Sequence, residues 1–294
     1  MGITLYKNAD WILTVNEKRE KFRHGDLLIS GKEILDVGND LEKKYVGKLQ
    51  IDKTIDAKGT VILPGFVNVH HHTWQSLIRN IQATRGLKLE PWLTVMYEIY
   101  KDLNTDVARA GVYSGLGDML KTGCTTSNDL WYPHPVGVKY LVDAEIQAAA
   151  EIGIRFHPTR GFHSVPSDIV PPEVVDTKES VTEDTIRLVK KYHDRSRFSM
   201  CQVGIAPSIA QYETEDIIEA VVDLAEEYDI MVHGHLAESQ HEVEYTLKTW
   251  GCRPFEWFKR HRLLGKRFYF AHCIHLNEEE IEQMAETETG VAHC

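Results

Sequence analysis

The chain has 294 residues, 43% of them hydrophobic, and a formal net charge of -11. That apolar content suffices for one large domain plus a small one. The negative charge argues against a nucleic-acid partner, which needs clustered Lys and Arg to neutralise phosphates, and no apolar run approaches the roughly 20 residues of a membrane span.

Residues 1–60 read as short strands and turns. The stretches ITLYKNADWILTV and GDLLISGKEILDVG have β character, with Ser30-Gly31-Lys32 as a hairpin turn. This region is expected to form a small β-sandwich-like domain, and no helical period of useful length appears before Leu41. The opening residues show no basic stretch followed by an apolar one, so no secretion signal is read there. No basic amphipathic stretch suggests a membrane surface. The cysteines (Cys124, Cys201, Cys252, Cys273 and Cys294) are scattered and odd in number. They fit a reducing, cytoplasmic compartment better than a disulfide framework.

From Val61 the pattern changes, and residues 61–294 read as one domain. Strands are predicted near 61–69, 123–129, 153–159, 198–206, 229–235, 267–273 and 290–294. Helices are predicted near 105–121, 137–152, 180–194, 214–228, 239–249 and 277–288. Asn104-Thr105-Asp106 and Thr214-Glu215-Asp216 have the chemistry of helix starts. Gly123, Gly153 and Gly290 sit between a helix and a strand, as C-cap residues would. The stretches 80–104 and 160–179 read as long insertions. Alternating strands and helices imply parallel strands with helical crossovers, either wound open or closed into a (β/α)8 barrel.

The polar residues favour the barrel. Nearly every strand delivers its unusual side chains at its C-terminal end: His70 and His72, Asn128 and Asp129, His157, His233 and His235, His272, and His293. In a barrel those ends share one mouth, where the active site lies. A doubly wound sheet concentrates its site at one switch point and usually carries a Gly-rich phosphate turn, which is absent here.

Side chains along a strand alternate faces, so His70 and His72 point one way and His71 the other. Two converging imidazoles suit a metal, Zn2+ being the commonest match and Fe2+ the alternative. VHGHLAES supplies a third imidazole, His235, and Glu238 three residues later, a carboxylate placed to move a proton of a metal-activated water. His272 in FYFAHC adds an imidazole able to polarise the reacting group or shuttle a proton. Gln75 can both donate and accept hydrogen bonds, which suits a lactam or amidine edge. Trp92, Trp74 and Phe162 could stack on a flat ring, and Arg160 could meet a ring oxygen or form a rim salt bridge. His157 and His293, taken singly, read as core or rim residues, and His163, His193, His241, His261 and His275 as surface residues.

At this point the chain resembles the amidohydrolase superfamily, in its mononuclear-metal branch of aminohydrolases and chlorohydrolases. That branch includes guanine deaminase, S-adenosylhomocysteine deaminase and the triazine hydrolases. The matching segments are LPGFVNVHHH, PWL at 91–93, GCTTSND, IRFHPTRG, VHGHLAE, FAHC and GVAHC. HHHTWQSLIR together with GCTTSND and RFHPTRG looks most like the 8-oxoguanine and isoxanthopterin deaminases. The resemblance implies that His70, His72 and His235 bind one metal ion per chain. It implies that Glu238 carries a proton from water to a ring nitrogen, and that His272 helps activate the water and orient the tetrahedral intermediate. Binuclear branches carry a lysine on strand four; here that strand reads FSMCQVGIAPS and has none.

The resemblance also implies a further metal ligand, an aspartate after an eighth strand, and C-terminal strands that complete the small β domain. Only seven barrel strands fit this sequence. The chain is therefore expected to be a fragment, with an open edge beside strand one and little activity alone. The full-length protein is expected to deaminate an amino-substituted N-heterocycle (a purine or pterin such as 8-oxoguanine or isoxanthopterin), with a small-molecule heterocyclic substrate as its partner and a homo-oligomeric state. Two alternatives stand beside this: a triazine chlorohydrolase or alkylaminohydrolase, and a non-enzymatic metal-binding or scaffold fragment.

Overall fold

A computed structural model describes residues 2–294, which divide into two units, Met1–Phe66 and Val67–Cys294. In the first unit, β1 (Ile3–Leu13) pairs antiparallel with β2 (Lys21–Ser30), and β2 turns through Gly31-Lys32 into β3 (Glu33–Gly38). Gly31 has φ +55°, a conformation glycine adopts without a Cβ penalty. After a short helix α1 (Leu41–Tyr45), β4 (Lys53–Asp56) and β5 (Val61–Ile62) both pair parallel to β1. The result is a single mixed sheet. A bulge in β1 places Asn8 at φ +62°, and the buried Asp26 carboxylate accepts both the Asn8 and Leu41 backbone N–H groups at 3.0 Å. Two small apolar clusters, one around Leu5, Leu28 and Leu41 and one around Ala9, Ile12 and Ala57, hold the unit together.

The strand predicted over 61–69 is broken. Val61–Ile62 belongs to the first sheet, and β6 (Phe66–Asn68) to the second. Pro64 stands between them and has no N–H to give to a ladder.

Within the second unit, α2 (Leu89–Tyr100) and α3 (Thr105–Lys121) follow β6. Then β7 (Cys124–Trp131), α4 (Leu141–Ile152), β8 (Arg155–Phe162), α5 (Lys178–Tyr192), β9 (Gly204–Pro207) and α6 (Glu215–Tyr228) alternate. β10 (Val232–Leu236) is followed by α7 (Gln240–Trp250) and α8 (Pro254–Arg260), and β11 (Phe268–His272), α9 (Glu278–Thr287) and β12 (Gly290–Ala292) close the series. The sheet order is β12-β11-β10-β9-β8-β7-β6, the order of the sequence, and each pairing from β7 to β12 is parallel. A sheet that never reverses its winding has no switch point. It is instead the curled, singly wound sheet of a (β/α)8 barrel, with β6 and β12 at its edges. No helix among the described residues is long and apolar enough to cross a membrane.

Local chemistry explains most element ends. The Asn104 side chain accepts the Asp106 and Val107 N–H groups and starts α3. Asn277 and Glu280 form a reciprocal capping box at the start of α9. Gly153, at φ +79°, ends α4 as a C-cap should, and Gly123, at φ +96°, follows the end of α3. Gly290 has no such role: Glu288, at φ +57°, caps α9, and Gly290 begins β12. The stretch 80–104, read as an insertion, contains α2, which buries Met96, Tyr97 and Tyr100. That spacing is helical, but Pro91 in the first turn disguised it; Pro is tolerated there because those N–H groups lack helical partners anyway. Pro254 opens α8 in the same way.

Close packing of strand on strand leaves room for little at Gly161 of β8, where a Cβ would lie 2.6 Å from the Trp131 carbonyl oxygen. Gly161→Ala is expected to destabilise the fold by about 1–3 kcal/mol through overpacking. Gly117 of α3 has open space around it, and Gly117→Ala is expected to stabilise by about 1 kcal/mol through helix propensity. Thermal unfolding of the two variants should move the melting temperature in opposite directions.

Candidate metal centre and its cavity

The strand ends of the second unit open into one cavity of about 830 Å3, with His70, His72, His235, Glu238 and His272 among its walls. His70 and His72 lie just beyond β6 and not within it. The backbone is still extended at His72 (φ -131°, ψ 92°). His71 turns towards α3, where its Nε2 lies 3.1 Å from the site of a Cβ on Gly115.

Helix α3 makes this arrangement possible. Gly111 and Gly115, one helical turn apart, face the histidine segment. A Cβ on Gly111 would sit 3.0 Å from the Thr73 carbonyl carbon and oxygen, and one on Gly115 would sit 2.5 Å from Ser76 Oγ.

The ring orientations are fixed by backbone carbonyls. His72 Nδ1 lies 2.8 Å from the Leu130 oxygen, and His235 Nδ1 lies 2.7 Å from the Ser208 oxygen. A carbonyl only accepts, so each Nδ1 carries the proton and each Nε2 keeps a lone pair. His70 is fixed one step removed. His233 Nδ1 donates to the Tyr269 oxygen at 2.9 Å, so its Nε2 accepts from His70 Nδ1 at 2.8 Å, which leaves His70 Nε2 unprotonated. The His233 ring also stacks on Tyr269 at 4.1 Å.

Ligand nitrogens of His70, His72 and His235 lie within 4.8 Å of one another. His72 Nε2 and His235 Nε2 are 3.3 Å apart. Both are acceptors, and two acceptors at that distance repel unless a cation lies between them. Tetrahedral ligands at about 2.0–2.1 Å from zinc stand roughly 3.3–3.4 Å apart, the spacing of the His72 and His235 nitrogens, and His70 lies close enough to join them. Burial holds all three imidazoles below their ordinary pKa, His235 at about 4, and a neutral ring is what metal binding needs.

Glu238 and His272 stand beside this group, with Glu238 Oε1 3.3 Å from His272 Nε2. Burial raises the Glu238 carboxyl, against the pull of His272, and burial lowers His272. Glu242 of α7 braces the turn: its carboxyl accepts the Ala237 and Glu238 N–H groups at 3.1 and 2.9 Å. Burial pushes Glu242 up to about 8. Cys294 also comes within 4.8 Å of nitrogens of His70 and His272.

The other residues singled out from sequence divide. Gln75 and Trp92 line the cavity, and Gln75 Nε2 donates to the Tyr100 hydroxyl at 3.0 Å. Trp74 and Phe162 are fully buried in the core and do not line it. Arg160 is also buried away from it. Its guanidinium pairs with Asp176 at 2.9 and 3.1 Å and Asp184 at 3.0 Å, against a separate cavity of about 480 Å3. Asp176 comes from the loop after β8 and Asp184 from α5, so Arg160 is consumed as an internal tie and faces away from the cavity. His157 spends its Nδ1 on the Gln202 oxygen at 2.5 Å, and His293 is exposed.

His163, read as a surface residue, is buried and forms part of the cavity wall. Its Nε2 is 2.6 Å from the Tyr97 hydroxyl, and its Nδ1 is 3.5 Å from Glu213. Tyr97 comes from α2, the helix hidden in the supposed insertion, so no local signal placed His163 inside. Tyr132, Gln211 and Tyr212 complete a largely aromatic wall with a few polar groups.

A family model described as the amidohydrolase family matches residues 61–294. The 8-oxoguanine deaminase of Pseudomonas aeruginosa is 33% identical over 242 residues, covering 81% of this chain and 54% of that protein. Hydroxydechloroatrazine ethylaminohydrolase of Pseudomonas sp. strain ADP is 28% identical over 304 residues, covering 100% of this chain and 63% of that one. Among solved structures, atrazine chlorohydrolase from Arthrobacter aurescens TC1 complexed with zinc superposes with a TM-score of 0.89 at 25% identity, covering 98% of this chain and 64% of that chain. The chain thus spans between half and two thirds of the length of these relatives.

Burial lowers His163 to about 3. Its depressed folded pKa means that the unfolded chain takes up a proton first as pH falls. The stability it contributes is complete above about 6.5 and is lost between there and about pH 3, at up to about 1.4 kcal/mol per pH unit. His163→Gln keeps an acceptor for Tyr97 and removes the titration. Melting temperatures measured across pH 4–7 should fall less steeply in this variant than in the parent.

Proposed function

The chain belongs to the amidohydrolase family, and from that premise we propose that it carries the metal site of a hydrolytic deaminase acting on an amino-substituted N-heterocycle, a purine or pterin such as 8-oxoguanine. The observation that carries the reading is the convergence of three Nε2 lone pairs, each fixed by a carbonyl-anchored hydrogen bond, beside a buried carboxyl. His70, His72 and His235 would hold one divalent ion, Zn2+ by donor chemistry, with Fe2+ the alternative. Such an ion supplies a water acidic enough to act as a nucleophile near pH 7.

The chain's own groups would do the rest. Glu238, raised by burial, would accept a proton from the attacking water and deliver it to the ring nitrogen next to the attacked carbon. A carboxyl shifted upward is better matched to both halves of that transfer. His272, whose Nε2 lies 3.3 Å from Glu238 Oε1, orients the reacting oxygen. Protonation of the ring nitrogen weakens the aromatic system; the second proton of the added water then passes to the amino group, the C–N bond breaks, and ammonia leaves as the carbon becomes a carbonyl. Trp92 offers a flat surface to the heterocycle, and Gln75 offers an amide to its lactam or amidine edge. The kinship to 8-oxoguanine deaminase supports the purine class.

A triazine substrate losing chloride or an alkylamine is the second reading, supported by the likeness to the two triazine-acting relatives. It keeps every residue role and changes only the leaving group.

A panel assay separates the two. Ammonia release from guanine, 8-oxoguanine, isoxanthopterin, cytosine and aminotriazines is compared with chloride and alkylamine release from substituted triazines. Turnover confined to the triazines would remove the purine reading. In a full-length enzyme, Glu238→Gln should lower turnover roughly 100-fold or more, the scale of a general acid–base group, while metal analysis still finds close to one ion per chain. His235→Ala should lose the metal, and prolonged chelation of the parent should abolish activity until Zn2+ or Fe2+ is restored.

A further inference from the structure

Behind the histidine segment lies a group of side chains that no step above uses. Thr73 follows His72 directly and is fully buried. Its backbone N–H donates to Asp129 Oδ1 at 2.5 Å, and its Oγ–H donates to Glu145 Oε1 at 2.5 Å. Asp129 comes from β7 and Glu145 from α4, and both are completely buried. The two carboxyl groups converge on one residue, Asp129 on the Thr73 N–H and Glu145 on the Thr73 hydroxyl. Asp129 Oδ2 and Glu145 Oε2 are buried with no hydrogen-bond partner.

Two bare carboxylates cannot share a dry site, because like charges in low dielectric repel strongly. One proton between them removes the repulsion and gives each spare oxygen a partner. Burial raises both carboxyls, in the direction this contact requires.

We propose that Asp129 and Glu145 hold one proton between them and clamp Thr73, and so act as positioning residues for the His70–His72 segment. The same stretch of β7 makes the clamp effective. Leu130, next to Asp129, accepts the His72 Nδ1–H at 2.8 Å and donates its own N–H to the His71 carbonyl at 2.8 Å. Thr73 is thus held from three sides: by β7, by α4, and by the close approach of α3 at Gly111. The purpose of the clamp rests on the metal role proposed for His72; its existence does not.

The test uses amide substitutions. Asp129→Asn keeps the oxygen that accepts the Thr73 N–H and turns a permanent donor towards the Glu145 carboxylate. Glu145→Gln does the converse. Either single change replaces the shared proton. The double variant sets two NH2 groups against each other with no acceptor between them. Two measurements are made on each purified variant. One is hydrogen exchange of the segment containing Thr73 in the metal-free protein, and the other is Zn2+ affinity by chelator competition.

Each single variant should stay within roughly threefold of the parent in both, and the double should exchange faster and bind Zn2+ more weakly by roughly tenfold or more. A double variant no worse than the singles, or singles as impaired as the double, would overturn the clamp. If the parent binds no Zn2+, the metal reading fails, and the exchange data alone still judge the clamp. If the double variant does not fold, Thr73→Val deletes only the hydroxyl donor to Glu145. It should raise exchange at position 73 and be rescued by Thr73→Ser; unchanged exchange would equally overturn the proposal.

Discussion

Backbone carbonyls of the parallel sheet set the chemistry of the cavity. A carbonyl oxygen carries two lone pairs, so one in or beside a strand can take a side-chain N–H as well as serving the ladder. Here the oxygens of Leu130 and Ser208 take the Nδ1–H of His72 and His235, and that of Tyr269 takes His233, which in turn takes His70. One solution satisfies buried acceptors and forces three Nε2 lone pairs to face each other. A cation held between them, as the proposed metal role requires, would relieve the repulsion between those lone pairs. A second sphere of this kind is how metal sites hold their ligands in one tautomer.

Burial shapes the acids as strongly as the bases. Glu213, Glu238 and Glu242, with the pair Asp129 and Glu145, are all raised by desolvation. Desolvation thus shifts several interior carboxyls of this acidic chain towards their neutral form. These groups differ in what they hold. Glu242 braces the turn that presents Glu238, Asp129 and Glu145 hold Thr73, and only Glu238 meets the cavity beside His272. A carboxyl that faces the cavity is distinguished from the others by geometry, not by its shift.

Backbone conformation points to the same place. Ala237, His272 and Cys273 adopt φ of +49°, +73° and +55°, a region that non-glycine residues avoid. All three lie where β10 and β11 give way to the loops that carry Glu238 and His272. Such conformations persist only where surrounding contacts over-determine them. The Glu242 carboxyl on the Ala237 N–H, and the Cys273 N–H on the Leu236 oxygen at 2.9 Å, are contacts of that kind.

The alternation of strands and helices, their parallel pairing and most of their boundaries were legible in the sequence, because period and capping are local. So was the gathering of His70, His72, His235, Glu238 and His272, because a barrel sends all its strand ends to one mouth whatever their spacing in the chain. Long-range packing decided the rest. Arg160 follows a strand as a ring-binding cation might, but Asp176 and Asp184 lie close enough to claim it. His163 has the polar neighbours of a surface residue, and only the docking of α2 and the Glu213 turn buries it. Asn128, Asp129 and Glu145 carry no local sign of whom they meet. A residue's type and its place along a strand or helix fix what it can do; which partner it does it with is set by contacts between segments dozens of residues apart, and these exist only once the sheet has curled.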